Sequence, residues 1–112
     1  MVVVALVGLT GCSAGADQPI AVGPDTIVID VRTPGEFAAG HLEGARLLDL
    51  NGGELEKALP ELDPDAEYVV YCRSGNRSGQ AKALMEKAGI ADVTNLGSLE
   101  SAAKTTGLPV VR

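Results

Sequence analysis

The stretch from Tyr68 to Ala88 constrains the fold more than any other. An apolar run, Tyr68-Val69-Val70-Tyr71, ends in Cys72, and a helical pattern with Ala81, Leu84, Met85 and Ala88 on one face begins a few residues later. Between them lies the short loop Arg73-Ser74-Gly75-Asn76-Arg77. The order is strand, tight loop, helix, and 112 residues are enough for one domain with one core and too few for two. Hydrophobic residues make up 46% of the chain but aromatics only 3%, and Trp is absent, so the core is built from Val, Leu, Ile and Ala. Such a core suits a parallel sheet covered by helices on both faces.

The remaining segments extend that pattern. Thr26 to Val31 is a continuous apolar run of strand length, with Asp30 near its C-terminal end, where open parallel sheets gather functional groups. Thr33-Pro34-Gly35-Glu36 combines an N-cap Thr, Pro at the first helical position and Glu three residues on, predicting a short helix from Pro34 to Ala39 ended by Gly40. Ala45 to Leu50 suits a strand, and Glu54 to Leu59 a short helix stopped at Pro60. A helix from Ser78 to Ala88 should stop at Gly89, followed by a strand over Ile90 to Leu96 and a last helix closed by Gly107. This alternation indicates an α/β architecture with a mainly parallel sheet.

Cys72 falls between a strand end and a helix N-terminus, where backbone N–H groups lack partners and the helix dipole is positive. Arg73 and Arg77 add permanent positive charge, favouring a thiolate and an anionic substrate. Ser74, Gly75 and Asn76 are small or tolerate positive φ, so the backbone can curl into a nest of inward N–H groups. Each unit of thiol acidity is worth about 1.4 kcal/mol. A helix terminus supplies about 0.3–1 kcal/mol and a hydrogen bond to a charged group about 1.5–3. The dipole alone falls short; with one arginine or a few amides it suffices. Cys72 is therefore the candidate nucleophile, with Arg73, Ser74, Gly75, Asn76, Arg77 and Ser78 as the candidate substrate-binding loop. The competing reading is an inert buried cysteine followed by a polar helix cap.

Other chemistries fit poorly. The formal net charge is -6, with no basic run, which argues against a nucleic-acid partner. Two cysteines and one histidine make a zinc site implausible, and neither Cys-x-x-Cys nor a Gly-x-x-x-x-Gly-Lys loop is present. No metal and no cofactor are expected.

Residues 1 to 11 are apolar and uncharged, too short for a membrane span but matching the core of a secretory signal. Leu9-Thr10-Gly11-Cys12 resembles the bacterial lipobox, in which cleavage precedes a lipidated cysteine, although no Lys or Arg precedes the apolar run. The reading is a signal-like segment over 1–12, a tether over 13–24 and a folded domain over 25–112, with packing starting near Ile20. A lipid at Cys12 would place the protein outside the cytoplasm on the cell-envelope membrane. The competing reading of residues 1–11 is an ordinary first strand.

Cys72 to Arg77 resembles the active-site loop of the rhodaneses, sulfurtransferases that carry sulfur as a cysteine persulfide. A second stretch supports the likeness: Asp30-Val31-Arg32, Glu36-Phe37 and Gly40-His41-Leu42-Glu43-Gly44-Ala45 resemble that family's other signature. The likeness runs from about Asp25 to the C-terminus, and the chain is similar in plan to the small exported rhodaneses of the phage-shock type. It implies a three-layer domain with a central mainly parallel sheet flanked by helices. It also implies sulfur transfer from thiosulfate or a similar anionic donor, through a Cys72 persulfide, to cyanide or a thiol, by a single-domain monomer. Asp30 and Arg32 then either support the loop or form an ion pair closing a strand end, and His41 is structural. Two features depart from the pattern: Leu47 replaces an expected Asn, and Gly97-Ser98 replaces Gly-Gly with no Trp nearby. Two alternatives stay open. One is a non-enzymatic sulfur carrier or protein-binding module. The other is a Cys-loop phosphatase or arsenate reductase, whose loop carries arginine six positions after the cysteine, where this chain has Ser78.

Overall fold

In a computed structural model the described residues run from 19 to 112. The signal-like segment and Cys12 lie outside them. Strand β1 (Ile27–Asp30) leads to α1 (Pro34–Ala39), two short strands β2 (His41–Leu42) and β3 (Arg46–Leu47), and α2 (Glu54–Ala58). Then come β4 (Tyr68–Cys72), α3 (Asn76–Lys87), β5 (Val93–Ser98), α4 (Leu99–Thr106) and β6 (Val110–Val111). The main sheet has the order β3-β1-β4-β5 with every pairing parallel. A separate antiparallel pair joins β2 to β6.

The uninterrupted apolar run of β4 follows from its place. All five of its residues are buried, because helices cover both faces of a central strand. Tyr68, Val70 and Cys72 join Leu55 and Ala58 of α2 and Ala81 and Met85 of α3 in one cluster. Val69 and Tyr71 point the other way, to Leu42, Leu96 and Ala102 of α4. Three layers result, helices, sheet and helix, as the family resemblance implies.

Helix α1 spans the expected residues, and Thr33 and Glu36 form the reciprocal capping box that predicted it. Several boundaries differ from expectation, for local reasons. Only Arg46–Leu47 of the expected 45–50 segment is regular strand; Leu48 N and Leu50 N still donate to Asp30 O and Val31 O, at 2.9 and 3.2 Å, and Asp49 accepts from Gly52 N at 3.1 Å in the turn that follows. Ile90 to Asp92 is not strand: Ile90 is buried beside Met85 and its N–H donates to Met85 O at 3.0 Å, closing the last turn of α3 after Gly89. Strand β5 therefore starts later, and a register shift between its pairing with Val70 and with Cys72 carries it to Ser98.

Packing starts near Ile20, as expected: Ile20 and Val22, within the 13–24 segment, lie against the second cluster, and Ile20 N donates to Thr105 O at 2.8 Å. Among the described residues no helix is long and apolar enough to cross a membrane.

Candidate active site

The parallel sheet brings the C-terminal ends of β1, β4 and β5 together, so Asp30, Cys72 and Ser98 end side by side. Ligand sites of open α/β sheets form at this edge. Cys72 closes β4, and the chain then turns within three residues into α3. Gly75 makes that turn possible: at φ 96° it occupies a left-handed conformation that a side chain would strain. Helix α3 consequently starts at Asn76, two residues ahead of expectation, and its free N–H groups point back at the cysteine.

The thiol is enclosed and well supplied with donors. Cys72 is fully buried, Gly75 N donates to Sγ at 2.8 Å, and the Ser78 hydroxyl lies 3.3 Å from Sγ. Burial pushes the thiol pKa up. Hydrogen bonds from the Ser78 hydroxyl and from the amides of Ser78, Gly75 and Ser74 more than offset burial, and the net result is a pKa below the ordinary value. Amides and one hydroxyl thus take the part given in the sequence reading to amides or an arginine.

The two loop arginines differ. Arg77 is half-buried and forked onto Glu36 of α1, with Nη1 donating to Oε1 at 2.9 Å and Nη2 to Oε2 at 3.1 Å. Arg73 is exposed, as are Ser74 and Asn76, and among the described residues it makes no ion pair. Ser78, grouped above with the substrate-binding loop, is buried against Sγ and reaches the cysteine rather than solvent.

Asp30 and Arg32 form the strand-end ion pair. Asp30 is fully buried and accepts from Arg32 Nε at 2.9 Å, Nη2 at 2.7 Å and the backbone N at 2.8 Å. Arg32 Nη2 also donates to Gly40 O, and its guanidinium lies 5.5 Å from the centre of the Tyr71 ring. With its donors engaged in this way, Arg32 ties the end of β1 to the start of β2. His41 stacks on Phe37 and donates from Nδ1 to Phe37 O at 2.8 Å, a structural contact. Leu47 sits in β3 and brings no polar group.

Three site residues escaped the sequence reading. Glu36 was recognised as a capping residue, but its grip on Arg77 spans 41 positions and exists only in the fold. Asn95 accepts from Gly97 N at 2.9 Å through Oδ1, and its Nδ2 donates to Gly75 O at 3.4 Å. Gly97 completes this support, since a Cβ on Gly75 would lie 3.5 Å from Gly97 Cα. Departure from the family pattern at Gly97-Ser98 drew attention to this region without revealing the contact.

Among the described residues no cluster of His, Cys, Asp and Glu could hold a metal ion. A buried thiol of lowered pKa, facing donors from its own loop, can act as a nucleophile and carry a bound atom.

Comparison with known proteins places this arrangement. A sulfurtransferase of Allochromatium vinosum is 35% identical over 99 residues, which cover 88% of this chain and 91% of that protein. The thiosulfate sulfurtransferase GlpE of Ectopseudomonas mendocina is 37% identical over 70 residues, 62% of this chain and 62% of that protein, so the match spans under two thirds of its length. Among solved structures, a rhodanese with anions from E. coli superposes with a TM-score of 0.67 at 30% identity, covering 78% of this chain and 98% of that one. The family model described as the rhodanese-like domain matches residues 16–104. The chain belongs to the rhodanese-like domain family.

Proposed function

We propose that the protein is a sulfurtransferase that carries sulfane sulfur on Cys72, with thiosulfate or a similar small anion as donor. The observation that carries the reading is the buried Cys72 Sγ, held at 2.8 Å by Gly75 N and at 3.3 Å by the Ser78 hydroxyl, with a lowered pKa. In the first half-reaction the Cys72 thiolate attacks the outer sulfur of thiosulfate. A new S–S bond forms, the old one breaks with its electron pair, and sulfite leaves. In the second, a thiolate or cyanide attacks the outer sulfur of the persulfide and regenerates the Cys72 thiolate, giving a persulfide or thiocyanate. No net oxidation occurs and no cofactor is required. Little proton movement is needed either, which agrees with His41 being engaged with Phe37.

Loop amides stabilise the negative outer sulfur. Exposed Arg73 is the cation that meets the donor's sulfonate, while Arg77 supports the loop through Glu36. The phosphatase alternative fares worse: six positions after Cys72 stands Ser78, aimed at Sγ, in place of an arginine that could grip a tetrahedral phosphate. We propose further that residues 1–12 direct export and that a lipid on Cys12 anchors the monomer to the envelope; a native protein found unmodified and still starting at Met1 would refute this.

The test is intact mass of the protein before and after thiosulfate, with a Cys72→Ser control, followed by cyanide. A gain of one sulfur atom, absent from the control and reversed by cyanide, is the expected result. A folded protein with a free Cys72 and no gain overturns the thiosulfate reading.

A further inference from the structure

Glu36 is held before Arg77 reaches it: Oε1 accepts from Thr33 N at 3.1 Å and from the Thr33 hydroxyl at 3.2 Å. Arg77 then meets both carboxylate oxygens with both terminal nitrogens, the paired geometry in which guanidinium also binds sulfate or phosphate. An arginine beside an amide nest would ordinarily offer its fork to a tetrahedral oxyanion. Here the fork is already filled by the protein's own carboxylate.

We propose that Glu36 is a specificity-determining residue: as an internal anion it occupies Arg77 and keeps inorganic sulfate and phosphate from lodging over Cys72. This deepens the sulfurtransferase reading and takes its purpose from it. A persulfide needs a nest for one sulfur atom, and a tetrahedral anion held by amides and a free arginine would block the approach to that atom. Thiosulfate, of equal charge, offers its outer sulfur to the amides and its sulfonate to Arg73 and so does without the Arg77 fork, whereas sulfate and phosphate have only oxygens to present; discrimination comes from a built-in competitor for that fork. With Glu36 neutral, the loop region gains a full positive charge at a part-buried position, where a doubly charged anion feels it strongly.

The test uses the full chain and the protection of Cys72 from iodoacetamide by inorganic sulfate at constant ionic strength, read by peptide mass so that Cys12 is scored separately. Glu36→Gln keeps the acceptor for Thr33 and removes the charge. It should bind sulfate about tenfold more tightly than the unsubstituted protein, the scale of one partly screened charge on a divalent anion. Adding Arg77→Gln should return the affinity to within about twofold of the starting value, and Glu56→Gln at an exposed position of α2, which changes net charge equally, should move it less than about twofold. A Glu36→Gln gain no larger than that of Glu56→Gln, or one that survives Arg77→Gln, overturns the proposal. Should Glu36→Gln alone fail to fold in a thermal melt, the neutral double variant decides. An affinity near the starting value supports the proposal, and a tenfold loss shows Arg77 already serving sulfate and overturns it. Alkylation reads the thiol alone, so a protein that accepts no sulfur would fail the functional reading while leaving this one measurable.

Discussion

Ser78→Ala isolates the side-chain hydrogen bond at Cys72. The Ser78 hydroxyl lies 3.3 Å from Sγ and both groups are buried, so the contact works in a poorly solvated setting. A hydrogen bond to a charged group contributes about 1.5–3 kcal/mol, and this moderately long contact belongs near the lower end. Losing about 1.4 kcal/mol of thiolate stabilisation makes the thiolate about tenfold scarcer at a pH below both midpoints. Each remaining thiolate is more basic, and with a Brønsted slope of about 0.45 it attacks about threefold faster. The sign is therefore specific. Iodoacetamide alkylation of Cys72 should slow about threefold at low pH, its midpoint should move upward, and its high-pH plateau should rise about threefold, so that the two profiles cross. Absorbance of the thiolate near the ultraviolet edge gives the midpoint independently. An unchanged midpoint, or a uniform loss of rate at every pH, would refute the assignment of Ser78 as a donor to the thiolate.

Gly75→Ala places a Cβ on a residue at φ 96°, which costs about 1–2 kcal/mol, and should lower the melting temperature by about 4–8 °C per kcal/mol in a domain of this size. An unshifted melt would show that the turn relaxes freely. The Glu36 carboxyl is held down to about 2, first by the Arg77 hydrogen bonds, against an ordinary 4.5. Its folded pKa is depressed, so its contribution is present above about 4.5 and lost as pH falls toward 2; after solvent screening it is of order 1 kcal/mol. Urea melts at pH 5 and pH 3 should therefore differ less in Glu36→Gln than in the unsubstituted protein, and equal differences would contradict the pairing. Asp30→Asn leaves the buried Arg32 guanidinium without its countercharge and should cost about 3 kcal/mol in urea unfolding. Because this pair closes a strand end, the alkylation midpoint of Cys72 should stay put in that variant, and a shift would return Asp30 to the loop. Tyr71→Phe strips the acceptor from buried Leu42 N, for about 1–3 kcal/mol in the same assay; no loss would mean water replaces the hydroxyl.

Local chemistry explains what could be read from the chain. The capping residues Thr33 and Glu36 with Pro34 mark α1 because they act within one turn, and β4 is visible because burial on both faces removes any polar alternation. Cys72, Gly75 and Ser78 fall within seven consecutive positions, so their meeting follows from strand, turn and helix geometry alone. Contacts across the sequence were beyond reach. The two arginines look equivalent as residues, and only the placement of α1 beside α3 makes one a clamp and leaves the other exposed. Asn95 supports Gly75 from 20 positions away, through a strand whose start was displaced because Ile90 closes the preceding helix. The antiparallel β2–β6 pair was missed for a similar reason: two-residue strands carry too little periodicity to be seen.

Loop length ties these points to the chemistry. In a cysteine loop with arginine six positions on, that arginine can fold over the nest and grip a tetrahedral anion. Here the arginine comes one residue earlier, in the first turn of α3, where it faces α1 and is taken by Glu36. The sixth position then carries a small hydroxyl that turns inward to Sγ and is fully buried. One residue of spacing thus moves a permanent cation out of the nest and puts a neutral donor into it. The cysteine keeps its lowered pKa through amides and Ser78, while the loop lacks an inward fork that would seat an oxyanion's oxygens over Sγ; in the proposed reading the donor's sulfonate meets Arg73 outside the nest. A single outer sulfur asks for no more than amide donors, so the same spacing that weakens phosphate chemistry suits a persulfide carrier.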